Sequence, residues 1–242
     1  MIALHTFEPL EAAVSLLYPP VCAICGESVR AGEYLCNRCE AKAIRIVAPF
    51  CQKCSEPFEG AISSEFICAN CAHRTIYFDA AVSAYRGRGI VREIIHEFKY
   101  ARQIHLRHLV ARWLHAALDD ERIRGSKFDI VVPVPLHATR QRERGFNQAS
   151  LLAALLSAQT SISSKPLLER IRYTNTQTAL DRSERMENLH NAFRLRKNAD
   201  VRGLRVLLID DVLTTGSTLS ECARVLKRAG ALSVYAATAA RA

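Results

Sequence analysis

One run near the carboxyl terminus, residues 206–218, constrains the fold more than any other part of the chain. It reads Val-Leu-Leu-Ile-Asp-Asp-Val-Leu-Thr-Thr-Gly-Ser-Thr, and a helical pattern of apolar residues begins near Leu219. Four apolar residues in succession indicate a buried parallel strand. The run therefore predicts a strand–loop–helix unit of an α/β fold, with two carboxylates at the end of the strand.

The loop residues are suited to binding a phosphate. The first N–H groups of a helix lack intrahelical partners, the helix dipole favours an anion there, and hydroxyl groups add further donors. The adjoining carboxylates, Asp210 and Asp211, can accept hydrogen bonds from the vicinal hydroxyls of a ribose. The alternative is a tight turn whose aspartates only cap the helix. The predicted phosphate loop consists of Thr214, Thr215, Gly216, Ser217 and Thr218.

The same run resembles the phosphoribosyl pyrophosphate (PRPP) signature of type I phosphoribosyltransferases, in which an apolar strand precedes two acidic residues and a hydroxyl-hydroxyl-Gly-x-hydroxyl loop. Every position of that pattern is matched. The resemblance implies that the loop binds the 5′-phosphate of PRPP. It also implies that Asp210 and Asp211 act as the catalytic acidic pair at the ribose hydroxyls.

Four Cys-x-x-Cys pairs precede residue 76 and form two successive sets. Two such pairs joined by a short spacer supply the four thiolates of a tetrahedral structural zinc site, with no position left for a catalytic water. Disulfides and an iron–sulfur cluster are the alternatives, and pairing of cysteines between the two sets remains open. The predicted metal ligands are Cys22, Cys25, Cys36 and Cys39, followed by Cys51, Cys54, Cys68 and Cys71.

Composition is consistent with a globular protein that binds a polyanion. The chain of 242 residues is 49% hydrophobic and carries a net charge of +9, which two four-thiolate zinc sites would lower to about +5. An amphipathic helix is predicted to end before Pro19. No run approaches the roughly 20 apolar residues of a membrane span, and the amino terminus is a poor signal peptide. These features favour a cytoplasmic location.

A second strand, predicted for residues 128–132, ends in a proline-rich turn and an arginine-rich loop. Open α/β sheets place ligands at the carboxyl ends of parallel strands. Arginine guanidinium groups bind phosphates through paired hydrogen bonds. The basic residues of this predicted loop are Arg140, Arg142 and Arg144.

Several further motifs make the chain similar to the ComF family. They are residues 133–137 with Arg140, residues 144–148, residues 172–174 with Gln177 and Leu180, and Arg185 with Asn188 and residues 192–193. The resemblance implies a double zinc ribbon in residues 1–76 and, in residues 77–242, a type I phosphoribosyltransferase-like parallel sheet flanked by helices. It implies a flexible loop carrying Thr174, Gln177 and Arg185, and a role in natural competence. The implied pyrophosphate loop consists of Val134, Pro135, Leu136 and His137.

Two hypotheses about function follow. The first is a phosphoribosyltransferase that uses PRPP with Mg2+, although the sequence shows no recognisable base-binding hood that would mark a nucleotide-salvage enzyme. The second is a PRPP sensor that binds single-stranded DNA and whose ribbons dock a DNA-uptake helicase. The complete set of phosphate and ribose groups favours PRPP as a ligand under either hypothesis.

Overall fold

A computed structural model describes residues 19–60, 62, 65–100, 103–173 and 189–242. The chain separates into two compact units, Met1–Ile44 and Arg45–Ala242. The predicted amino-terminal helix lies outside the described residues. The domain boundary predicted at residue 76 stays a prediction, and the first cysteine set lies in the smaller unit while the second lies in the larger one.

The larger unit is built on a parallel sheet, as the sequence predicted. Its strand order is β1-β6-β5-β2, and every neighbouring pair is parallel. A separate antiparallel pair joins β3 to β4. The strands are β1 (Ala81–Arg86), β2 (Ile130–Pro133), β3 (Leu168–Arg170), β4 (Phe193–Leu195), β5 (Arg205–Leu213) and β6 (Ser233–Arg241).

The longer helices bury apolar residues against the sheet or its neighbours. In the helix that ends at Tyr100, the buried positions include Ile90, Ile94 and Phe98, which recur four residues apart and share one face. Trp113 is also buried, as the apolar period of its helix predicted. The helices are α1 (Asn37–Glu40), α2 (Ala69–Ala72), α3 (Ile90–Tyr100), α4 (Arg107–Ala116), α5 (Ala138–Arg144), α6 (Gln148–Thr160) and α7 (Ser217–Arg228).

Strand pairing brings the two predicted ligand loops to one edge of the sheet. β2 pairs with β5 so that Pro133 lies opposite Ile209. The chain then continues from β2 into residues 134–137 and from β5 into residues 214–218. Because parallel strands end at the same edge, the predicted pyrophosphate and phosphate loops emerge side by side.

No helix among the described residues has both the length and the apolar character needed to cross a bilayer.

Candidate functional site

The eight predicted ligand cysteines form two quartets, and each quartet uses the two Cys-x-x-Cys pairs of one set. Within each quartet all four Sγ atoms lie within 4.8 Å of one another. The Sγ–Sγ distance is 3.7 Å for Cys25 and Cys36 and 3.6 Å for Cys54 and Cys68. A tetrahedron built on Zn–S bonds of about 2.3 Å has sulfur–sulfur edges of about 3.8 Å. Both quartets therefore fit structural zinc, and pairing between the sets does not occur.

The two ribbons have the same backbone hydrogen bonds around their first Cys-x-x-Cys pair, which we call the knuckle. In the first ribbon, the N–H of Cys22 donates to the carbonyl of Glu27 at 2.7 Å, and that of Gly26 donates to Cys22 at 2.9 Å. In the second, the equivalent bonds run from Cys51 to Glu56 at 2.8 Å and from Ser55 to Cys51 at 2.9 Å. The metal-binding geometry therefore sets the local fold of both ribbons.

The second ribbon shares its hydrophobic core with the parallel sheet. Its four cysteines pack in one buried cluster with Phe78 and Ala81, at the start of β1. The hydroxyl of Ser55 donates to the Ala81 carbonyl at 2.9 Å, and the Ala81 N–H donates to the Lys53 carbonyl at 2.8 Å. This ribbon is thus a structural part of the larger unit.

The predicted phosphate loop has the geometry of a helix N-terminus. Gly216 is the N-cap residue of α7 and has φ of 75°, a conformation that glycine adopts without strain. The Thr215 hydroxyl lies 3.0 Å from that of Ser217 and accepts from the Ser217 N–H at 3.3 Å. Thr214 is exposed and Thr218 is partly buried. The loop thus gathers hydroxyl groups around the first turn of α7.

The second ribbon reaches this loop directly. Arg74 donates through Nη1 to the Ser217 hydroxyl at 3.3 Å and through Nη2 to the Thr215 carbonyl. Asn70 donates through Nδ2 to the same carbonyl at 3.3 Å. The backbone N–H of Tyr77 donates to the hydroxyl of Ser220, in the first turn of α7, at 3.1 Å. The ribbon therefore fixes both the loop and the start of the helix.

The acidic pair lies within β5, which continues past the predicted strand end to Leu213, and its two carboxylates have different surroundings. Successive residues of a strand point to opposite faces of the sheet. Asp211 is buried and its Oδ1 lies 2.8 Å from Nζ of Lys99, at the end of α3. Burial, together with the neighbouring charge of Asp211, raises the pKa of Asp210 to about 7. Near neutral pH, Asp210 therefore exchanges a proton while Asp211 is held in an ion pair.

The predicted pyrophosphate loop follows β2 and is fixed at both ends by hydrogen bonds. The N–H of Val134 donates to the Ile209 carbonyl at 2.9 Å, and Asn147 Nδ2 donates to the Val134 carbonyl at 3.1 Å. His137 caps α5, since its Nδ1 accepts from the Thr139 N–H at 3.2 Å. The loop between these anchors contains Pro135 and Leu136.

The segment with three arginines was predicted as a loop, and this prediction is wrong because residues 138–144 form α5. At 100° per residue, Arg140 and Arg144 share a helix face that Arg142 does not. The Arg140 guanidinium lies 5.9 Å from the ring centre of Tyr173. The His137 cap and a left-handed Gly145 at the end delimit one short helix.

Arg144 organises a second polar group near α3. Its guanidinium lies 4.7 Å from the ring centre of Tyr100, donates to the Tyr100 hydroxyl at 3.0 Å and donates to Gln148 Oε1 at 3.1 Å. Gln148 is 3% exposed, and its Nε2 has no hydrogen-bond partner among the described residues. Burial of an unpaired amide donor is costly, so this atom is well placed to bind a polar ligand.

Sequence reasoning missed three residues of this site: Asn70, Arg74 and Lys99. Lys99 lies at the end of α3, outside every motif, whereas Gln148 at the start of α6 belongs to the motif of residues 144–148. The signal for Asn70 and Arg74 is weaker, because both belong to the ribbon and contact a loop more than 140 residues away. The predicted flexible-loop residues Thr174, Gln177 and Arg185 lie outside the described residues.

Comparison with protein families divides the chain between two models. Residues 13–72 match a double zinc ribbon domain, and residues 109–242 match a phosphoribosyl transferase domain. The two matches agree with the cysteine quartets and with the parallel sheet described above.

Three relatives extend the similarity over most of the chain. Competence protein F of Haemophilus influenzae is 34% identical over 201 residues, which cover 81% of this chain and 85% of the relative. DNA utilization protein YhgH of Escherichia coli is 32% identical over 223 residues, or 90% and 96% of the two chains. Competence protein ComFC of Bacillus subtilis is 31% identical over 210 residues, or 82% and 80%. With a double zinc ribbon, a phosphoribosyltransferase-type domain and relatives of this identity and coverage, the chain belongs to the ComF family.

Proposed function

We propose that the larger unit binds PRPP at the carboxyl edge of its sheet. The observation that carries this proposal is the placement of the acidic pair of β5 and the hydroxyl-rich loop before α7 beside the loop that follows β2. The N–H groups of Gly216 and Ser217, with the loop hydroxyls, would bind the 5′-phosphate. Asp210 and Asp211 would accept hydrogen bonds from the ribose hydroxyls.

The pyrophosphate of PRPP would lie along residues 134–137. Mg2+ bound with PRPP would neutralise negative charge on the pyrophosphate. Lys99, Arg144 and the unpaired Gln148 Nε2 supply nearby donors. Arg140 and Arg142 on α5, with Thr174, Gln177 and Arg185 from the predicted closing loop, complete the set of groups that we assign to the anion.

We place this ligand binding in DNA uptake or DNA processing in the cytoplasm. The support comes from the relatives, whose names refer to competence and to DNA utilization. The net charge of +9 favours a polyanionic partner such as single-stranded DNA. A DNA-uptake helicase is the protein partner that we propose for the ribbons.

Turnover of PRPP is the second candidate function, and the acidic pair favours it. As a pyrophosphate departs, positive charge develops at C1 of the ribose, and carboxylates fixed near the ring stabilise that charge. Asp211 is fixed in this way by Lys99. A nucleobase acceptor would make the protein a nucleotide-salvage enzyme, whereas binding without turnover would make it a sensor.

Titration of PRPP with Mg2+ into the full chain tests the ligand assignment. We expect wild-type protein to bind and the Asp210→Asn/Asp211→Asn protein to lose binding, while both retain two zinc ions and the same secondary structure. Equal affinity in the two proteins would refute the ribose assignment. Release of pyrophosphate from PRPP in the presence of nucleobases or oligonucleotides then separates an enzyme from a sensor.

A further inference from the structure

We infer that the second zinc ribbon supports the phosphate loop from the side opposite the bound anion, and that Arg74 is a positioning residue that sets the affinity of residues 214–218 for a phosphate ester. The inference rests on the proposed function, because it concerns the same loop. The inference gives the ribbon a supporting role at that site, although the ribbon lies outside the sequence motifs of the ligand loops.

Three donor atoms from one short stretch of the ribbon contact the loop. Arg74 contacts both the Thr215 carbonyl and the Ser217 hydroxyl, and Asn70 contacts the same carbonyl. Arg74 Nη2 also lies 3.3 Å from the position that a Cβ atom would take on Gly216. The guanidinium is therefore packed against the turn that begins α7.

These contacts orient the peptide group that joins Thr215 to Gly216. In a trans peptide, the carbonyl and the following N–H point in opposite directions. Donors that hold the Thr215 carbonyl on the ribbon side therefore direct the Gly216 N–H to the other side of the loop. A phosphate bound there receives that N–H and is not repelled by the carbonyl oxygen.

Arg74 also sets the direction of the Ser217 hydroxyl. A hydroxyl oxygen that accepts from a guanidinium keeps its own proton for another acceptor. The structure offers the Thr215 hydroxyl as one acceptor, at 3.0 Å. A phosphate oxygen would be a stronger one, since hydrogen bonds to charged acceptors exceed neutral ones in strength.

The ribbon holds these donors in place through its metal ligands. Asn70 lies in α2, between the ligands Cys68 and Cys71, and Arg74 follows the second of them by three residues. The first ribbon carries Lys42 three residues after Cys39, and this lysine is exposed. Lys42 therefore provides a matched position outside the unit that contains the phosphate loop.

The test measures the affinity of the full chain for ribose 5-phosphate and for PRPP with Mg2+ by calorimetry. We expect Arg74→Ala to weaken both by about tenfold to a hundredfold, because both ligands carry the 5′-phosphate and a charged hydrogen bond is lost. Arg74→Lys should recover part of the loss. Lys42→Ala should bind like wild type. Since Arg74 acts through Ser217, Arg74→Ala should cost less in a Ser217→Ala background than in wild type.

Zinc content and melting temperature separate positioning from support of the fold. An Arg74→Ala protein that keeps two zinc ions and binds ribose 5-phosphate like wild type would overturn the inference, even if it melts earlier. If Arg74→Ala loses a zinc ion, Asn70→Ala replaces it in the test, and unchanged affinity of that variant would overturn the inference equally. Wild-type protein that binds neither ligand would instead overturn the proposed function.

Discussion

The two zinc ribbons share a local fold and differ in their surroundings. Both close a Cys-x-x-Cys knuckle with the same backbone hydrogen bonds and gather four cysteines within 4.8 Å. The first lies in a compact unit of its own, whereas the second packs in the core of the sheet and touches the phosphate loop. Metal binding therefore fixes how a ribbon folds, and the side chains outside the knuckle decide what it joins.

One knuckle position shows this difference most clearly. Gly26 in the first ribbon has φ of 72° and open space where a Cβ would stand. Ser55, its equivalent, keeps a left-handed φ of 56° although it carries a side chain. Its buried hydroxyl donates to Ala81 and accepts from Arg122 at 2.7 Å. The strained residue is retained where its side chain joins the ribbon to the sheet.

Loss of one zinc ligand should have the largest effect, and it should separate the ribbons. Structural zinc contributes on the order of 10 kcal/mol to folding, as much as the whole stability of a typical domain. Cys54→Ser should therefore unfold the larger unit and abolish PRPP binding. Cys25→Ser should leave the fold of the larger unit and PRPP binding intact. Each of the two variants should lose one of the two zinc ions. Thermal unfolding, metal analysis and calorimetry measure this, and equal loss of binding in both would contradict the contrast.

Replacing Arg122, which joins the second ribbon to the turn after α4, should have the next largest effect. Arg122 pairs with Asp120 at 2.7 Å and donates to the carbonyls of Cys51 and Gln52 at 3.1 and 2.9 Å. Its side chain is only 12% exposed. Removing one partner of such a buried network costs about 3 kcal/mol.

Denaturant unfolding should show this loss for Arg122→Gln. The matched variant is Arg38→Gln in the first ribbon, whose arginine is 69% exposed and pairs with Glu27 at 3.3 Å. An exposed pair contributes little, so we expect no measurable change in the unfolding of the larger unit. A similar shift in both variants would show that burial does not distinguish the ribbons.

The knuckle position should respond more weakly. Ser55→Ala keeps the left-handed backbone and loses two hydrogen bonds of a buried hydroxyl, at a cost of about 2 kcal/mol. Gly26→Ala gains only the left-handed strain, about 1 kcal/mol. The unfolding transition of the larger unit should shift for Ser55→Ala and stay in place for Gly26→Ala. A larger shift for Gly26→Ala than for Ser55→Ala would show that backbone strain alone determines the effect of this position on stability.

The pH dependence of PRPP affinity should be the smallest effect, and its titrating group, Asp210, belongs to the larger unit. Because the folded-state pKa of Asp210 is raised to about 7, the folded state holds a proton that the unfolded state has released. The free energy of unfolding therefore falls as pH rises from about 4 to about 7. The carboxylate is the better acceptor for hydroxyls, so PRPP affinity should rise by at most about tenfold between pH 6 and 8.

Calorimetry at several pH values checks this in wild type, in Cys25→Ser and in Asp210→Asn. The first two proteins should show the same rise in affinity, and the third should show none. A rise that persists in Asp210→Asn would assign the titration to another group.

Much of the fold and the site was predictable because its signals are local. The strand before Asp210 and the helix after Gly216 follow from a run of apolar residues and a turn residue that tolerates positive φ. The cysteine quartets follow from the spacing of four sulfur ligands. The arginine segment was misread because a cap and a terminal glycine are weak signals in a short helix.

The sequence alone determined the chemistry of this protein: two sets of thiolates for zinc, a strand that ends in two carboxylates, and a hydroxyl-rich loop for a phosphate. Only the tertiary structure decided which groups stand beside that chemistry. Arg74 reaches Ser217 across 143 residues, and Lys99 reaches Asp211 across the sheet edge. Such contacts depend on how separate elements pack. The spacing of residues along the sequence reflects helix and strand periods and metal-ligand patterns, and it does not indicate which distant residues come together.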